Sequence, residues 1–305
     1  MQSPREGRCL LCTQPCERQL SHVIPKFVMR WLKSTSPGGV RSVQFPNRRV
    51  QDGLKRHWMC EGCENRLSDW EGAFRNQVFA PANRPDFRAG SLEYGDWCLK
   101  FATSLSWRVL HGLRESEPGV YSDSEIERAD AAAEAWRSFM LDSAPHPGEH
   151  TQHIFHTDIV NAPYGNASPY LNRYLLRSID AEYLVCDRLS ATYAKLGRLI
   201  ILGIVSGGSD RLWRSSKIRL RKGRIMTFSD FPAELRGFLN TRANLAAMSH
   251  RDLSPTQRQV IDKMFSDVGD AAIASSESMR AFEADLKNAG DEAYRITGRD
   301  PHGLA

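Results

Sequence analysis

Residues 57–67 read HWMCEGCENRL and residues 8–12 read RCLLC, and these two stretches together decide what the first part of the chain becomes. Each carries two cysteines separated by two residues, Cys9 with Cys12 and Cys60 with Cys63. Sulfurs at that spacing reach one ion from a single tight turn, and zinc favours four ligands in a tetrahedron. Two such pairs, with 47 residues between them, predict a closed site in which Cys9, Cys12, Cys60 and Cys63 hold a structural Zn2+. A redox CxxC is a competing reading, but nothing around either pair patterns as a βαβ unit. Exchange of Cys16 for one of the four is another. A closed site has no open coordination position, so such an ion folds the chain around it and catalyses nothing.

The bulk properties agree with a metal site rather than a disulfide framework. Seven cysteines in 305 residues are few, and Cys9, Cys12, Cys16, Cys60 and Cys63 all fall early. Cys98 and Cys186 sit in apolar sequence and read as buried small hydrophobes. A reducing, cytoplasmic compartment is the expectation. With 41% hydrophobic and 25% charged residues the chain can bury a real core, and 305 residues favour two domains. The longest apolar run, LIILGIV at 199–205, is too short to span a bilayer, so no membrane association is expected.

Net charge is +5 but unevenly spread. Residues 1–75 hold 13 Lys or Arg against 7 Asp or Glu, and residues 195–225 hold 9 against Asp210 alone. Two basic stretches of this kind fit a phosphate-rich partner.

The expected fold class is α+β: a small zinc-bound module at 1–80, a linker at 81–94 rich in Pro, Gly and Asn, and a larger mixed domain at 95–305 with helices and a small antiparallel sheet. Apolar residues at spacings of three and four predict a helix over 97–113, and a Ser/Asp cap followed by Glu starts another at 122–141. Strands are expected at 152–160, 181–186 and 199–205, the last two separated by ATYAKLGR. KIRLRKGRI alternates apolar and basic residues as a strand would, and 231–248 and 254–290 read as helices. The histidines 146, 150, 153 and 156 read as solvated or hydrogen-bonded rather than as metal ligands.

Between the cysteine pairs lies QLSHVIPKF, residues 19–27. A CxxC, a strand ending in His22 ahead of Ile24 and Pro25, a loop with Asn47, and a second CxxC opening a helix resemble the zinc-bearing branch of the HNH nucleases, the ββα-metal or treble-clef group, over roughly residues 9–75. That resemblance implies hydrolysis of phosphodiester bonds. The histidine acts as general base on a water, and a divalent ion, held by the residue before the histidine and by a helix residue, stabilises the leaving oxygen. Carried to this chain, the base is His22, the middle asparagine Asn47 and the helix position Glu64. The chain departs from the family at Ser21, where an Asp is usual, and at Glu64, where a His is usual. Glu64 offers oxygen to Mg2+ or Mn2+, and Ser68 and Glu71 share its helix face. Arg41, Arg48, Arg49, Lys55 and Arg56 would meet the nucleic-acid backbone, DNA before RNA. His57 is an alternative base or phosphate contact.

The expected function is thus a metal-dependent endonuclease, by analogy with similar modules a part of a bacterial defence or mobile-element system, with the larger domain engaging a protein partner or conferring specificity. The alternative is a non-catalytic zinc-finger adaptor binding nucleic acid or a protein. A third places the activity in the larger domain.

Overall fold

The computed structural model describes residues 5–294 apart from 37–39, 44, 85, 88–90, 118, 120, 162–166, 187, 209–212, 229–230 and 250–251. It is a mixed α+β structure. Its contacts group the chain into two units, each assembled from three stretches: Met1–Phe27, Gly53–His156 and Asp180–Thr227 in the first, Val28–Asp52, Thr157–Ile179 and Phe228–Ala305 in the second. This grouping differs from the expected consecutive segments 1–80 and 95–305. The expected linker 81–94 contains a strand, Ser91–Tyr94.

The first unit begins with a short antiparallel pair, β1 (Glu6–Arg8) and β2 (Pro15–Glu17), which presents the Cys9–Cys12 turn. A second pair follows. Strand β3 (Gln19–His22) runs antiparallel to β4 (Lys55–Met59) with His22 opposite Lys55, and helix α2 (Glu61–Phe74) starts directly after β4.

A separate six-stranded sheet has the order β5 (Ser91–Tyr94), β10 (Gly223–Phe228), β6 (Gln152–Thr157), β9 (Leu199–Gly207), β8 (Leu189–Leu196) and β7 (Ile179–Cys186). Strand β8 takes in ATYAK of the expected separator. All eight of its residues are buried, so both of its faces are covered, and a strand of that kind shows no in–out alternation to read. The same holds for all six residues of β6.

After the short α3 (Ala80–Ala82), helix α4 (Trp97–Ser116) buries Phe101, Leu105, Val109 and neighbours and packs on β8, β9, α2 and α5 (Asp123–Met140). Asp96 caps it by accepting from Trp97 N at 2.9 Å, and Ser122 with Glu125 forms the expected capping box on α5. Helix and sheet approach closely at Gly203, where a Cβ would lie 2.5 Å from Ser106 Oγ and 2.8 Å from Thr192 Oγ1. Only glycine fits there.

The second unit is helical. It holds most of α1 (Lys26–Ser34) together with α6 (Leu171–Arg177), α7 (Ala233–Met248), α8 (Pro255–Val268), α9 (Asp270–Ala274) and α10 (Glu277–Ala289). Leu235, Leu239, Ala243 and Ala247 form the buried stripe of α7 at four-residue spacing. The buried Asp285 carboxylate accepts from the backbone N–H of Asn172 and Arg173 and from Arg173 Nε at 2.9 Å, which anchors α10 to the start of α6. Among the described residues no helix is long and apolar enough to cross a membrane.

Candidate metal centre and the His22 edge

The cysteine turn is built by backbone hydrogen bonds. Cys9 N donates to Gln14 O and Thr13 N to Cys9 O, with Thr13 in the left-handed region at φ 64°. Leu10 N donates to Trp58 O at 2.7 Å and ties the turn to β4, whose end delivers Cys60 as the residue before α2 and Cys63 in its first turn. The sulfurs of Cys9, Cys12, Cys60 and Cys63 all lie within 4.8 Å of one another, a group able to hold a metal ion. Cys12 Sγ and Cys60 Sγ are 3.8 Å apart. Backbone N–H groups of Cys12 and Cys60 both point at Cys9 Sγ at 3.4 Å, as donors do around a thiolate. Burial raises the Cys9 thiol, but those donors outweigh it and bring it down to about 7. Burial and the neighbouring sulfurs push Cys63 the other way. Cys16 lies outside the group of four. Cys98 is fully buried as expected, whereas Cys186 is partly exposed at the end of β7.

The other sequence-selected residues of the first unit gather along β3, β4 and α2. Ser21, 1% exposed, donates its hydroxyl to Glu64 Oε1. His22 follows at the strand end, half-buried, and its carbonyl accepts from Arg108 Nη1 at 2.9 Å. The same nitrogen lies 2.7 Å from Glu71 Oε1, with the Arg108 side chain 3% exposed. Glu71 is therefore employed by Arg108, and Ser68 is exposed. His57 is buried and its Nδ1 lies 3.0 Å from Arg18 O, which makes it a structural histidine. Arg56 is held by Glu115 Oε2 at 3.0 Å, next to Trp58 Nε1 bonded to Glu115 Oε1 at 2.7 Å. Lys55 sits opposite His22 in the strand register.

Arg41, Asn47, Arg48 and Arg49 belong to the second unit. There the Asn47 amide is used at both ends: Nδ2 donates to Asp252 O at 2.9 Å and Oδ1 accepts from Ser254 N at 2.7 Å, just where Ser254 caps α8. Arg41 Nη1 donates to Gln257 Oε1 and Pro46 O, and burial together with Arg49 lowers its pKa. Arg48 stacks over Phe45, and Arg48 and Arg49 are exposed.

Arg108 is the residue that sequence reasoning missed. Its signal was a lone charge amid the apolar run SLSWRVLHGL, a position that is buried if helical and so demands an acid partner. His150, His153 and His156 are hydrogen-bonded. His150 Nδ1 lies 3.1 Å from Val205 O, His153 sits between Thr151 Oγ1 and Ser216 Oγ at 3.0 Å each, and His156 Nδ1 lies 2.9 Å from Thr227 Oγ1.

Compared with protein-family profiles, with curated proteins and with solved structures, the chain matches none.

Proposed function

We propose that the chain is a metal-dependent, HNH-like endonuclease in which Cys9, Cys12, Cys60 and Cys63 hold a structural zinc and the His22 edge hydrolyses phosphodiester bonds. Zinc suits the donor set because a tetrahedron with Zn–S near 2.3 Å has edges of about 3.8 Å. The Cys12–Cys60 separation of 3.8 Å matches that edge. A first cysteine turn, then the β3–β4 pair, then a helix opening on the second cysteine pair supports a treble-clef reading, with His22 at the end of β3.

The observation that carries the catalytic reading is the contact of Ser21 with Glu64, 43 residues apart. These match the two positions that hold the divalent ion in the family the chain resembles, and Ser21 immediately precedes His22 on β3. A hydroxyl and a carboxylate suit Mg2+ or Mn2+, which take oxygen ligands and keep several waters. His22 would take the proton from a water attacking phosphorus, and Ser21 with Glu64 would hold a divalent ion whose chemistry is to neutralise charge on the leaving oxygen.

A non-catalytic zinc adaptor is favoured instead by the engagement of the other polar groups: the Asn47 amide and the Arg56 guanidinium are both committed to internal partners. Zinc-loaded protein incubated with plasmid and with RNA in Mg2+ or Mn2+ separates the two. The nuclease reading expects cleavage that His22→Ala and Glu64→Gln abolish while zinc content stays unchanged. Absence of cleavage with either ion, in protein that still binds nucleic acid, leaves the adaptor.

A further inference from the structure

The basic stretch 195–225 is less uniform in the fold than in the sequence. Lys195 and Arg198 are buried, at 0% and 1% exposure, with Lys195 Nζ donating to Gly197 O and Arg198 N to Asn83 Oδ1. Arg224 is paired with Glu93 at 3.1 Å. Arg214, Lys217, Arg219, Arg221 and Lys222 remain exposed with no acid partner among the described residues.

These five are not scattered. Ile218 N donates to Gln152 O, Ile154 N to Ser216 O, and Lys217 bridges His153, so this segment runs alongside the start of β6. Ser216 and Ile218 are buried while Lys217 and Arg219 are exposed, the alternation of an extended chain that turns one row of side chains to water. Arg219 is further fixed by its N–H donating to Tyr94 Oη at 2.9 Å. Lys217 and Arg219 are thus fixed beside β6 and β5 by hydrogen bonds of their own stretch, with Arg214, Arg221 and Lys222 flanking them in sequence. Like charges kept so close without counter-ions oppose one another, and a partner bearing a row of anions relieves that repulsion.

We infer that residues 214–222 form a docking strip for nucleic acid, engaged through its phosphate backbone. Three of the five cations are arginines, whose planar guanidinium matches a phosphate with two parallel hydrogen bonds. A lipid surface fits less well, because interfacial binding needs a continuous apolar face, and Leu220 is the exposed apolar side chain among these cations. The strip deepens the nuclease reading by naming where the polyanion lies, but it is tested by binding, without cleavage.

The test is fluorescence anisotropy with labelled single-stranded and duplex oligonucleotides, no added divalent ion, zinc left in place, over a salt series. Each phosphate contact contributes about 0.7 to the slope of log K against log salt for a single strand and about 0.9 for a duplex. The variant Lys217→Ala/Arg219→Ala/Arg221→Ala is expected to lower that slope by about 2 for a single strand and about 3 for a duplex, and to weaken binding at least tens-fold near 0.15 M salt, with an unchanged melting temperature. The control pair Lys263→Ala/Lys287→Ala, exposed on helices α8 and α10, is expected to leave the slope unaltered. An unchanged slope in the triple variant, an equal loss in the control, or binding to phosphatidylserine vesicles in place of oligonucleotides would overturn the proposal. If the triple variant loses binding while wild-type protein never cleaves, the strip stands and the nuclease reading fails.

Discussion

Arg108 and Glu71 give the sharpest test of how the His22 edge is held. The guanidinium is 3% exposed and its Nη1 bonds both Glu71 Oε1 and the His22 carbonyl, while Nε reaches Ser104 O at 3.3 Å. Replacing Glu71 with Ala leaves a cation in the interior with carbonyl partners but no counter-charge. Breaking a buried pair on one side costs roughly 3–5 kcal/mol. Glu71 is itself 23% exposed, so water reaches the vacated space and the lower figure, about 3 kcal/mol, applies. For a unit of this size each kcal/mol lowers Tm by about 2–4 °C, so a drop of roughly 6–12 °C is expected. Arg108→Met in the Glu71→Ala background removes the stranded charge and fills its volume, so the double variant is expected to be more stable than Glu71→Ala alone. Urea denaturation of zinc-loaded protein, with m-values compared across the cycle, measures all three. A Glu71→Ala cost below about 1 kcal/mol, or a double variant as unstable as the two singles added, would show that the pair does not hold this edge.

If the four sulfurs hold zinc as proposed, a chelator, or Cys63→Ser, is expected to unfold the β1–β4 and α2 region, because binding free energy of structural zinc is folding free energy; loss of amide-exchange protection there, restored by added Zn2+, is the readout. His153 is buried, and burial, with Lys217 adding to it, lowers its pKa from 6.5 to about 4. The unfolded chain takes up a proton between those values and the folded one does not, so stability falls as pH drops from 6.5 towards 4, by up to about 3 kcal/mol, and His153→Gln should flatten that part of the pH profile relative to wild type. Asn47→Ala removes both bonds to the start of α8 and is expected to cost about 1–2 kcal/mol in denaturant titration while leaving any nucleic-acid cleavage rate within about twofold; a large loss of cleavage without loss of stability would return Asn47 to the site.

What was legible in the sequence was whatever repeats at short range. The paired CxxC spacing foretold the group of four sulfurs, because a tight turn fixes two of them locally and leaves one long-range closure to guess. Capped amphipathic helices such as Asp123–Met140 were equally plain. Strand Leu189–Leu196 was not, since burial at every position erases alternation and a buried Lys195 looks like a loop charge. The division into units was also illegible, because it depends on contacts between stretches far apart in sequence. At the site, Ser21 and Glu64 were recognised as positions, but their meeting, and the arginine beneath the His22 carbonyl, are products of tertiary packing.

The threefold interleaving of the two units sets a limit on how this chain can be divided. A cut near residue 80 frees the cysteine turn and α2 from Trp107 and Glu115 of α4, which brace Trp58. The amino-terminal piece is therefore no portable cassette. Protease nicks in the connecting stretches should yield fragments that co-elute under native conditions and separate only in denaturant, and grafting residues 1–80 onto another protein should yield a fragment that unfolds.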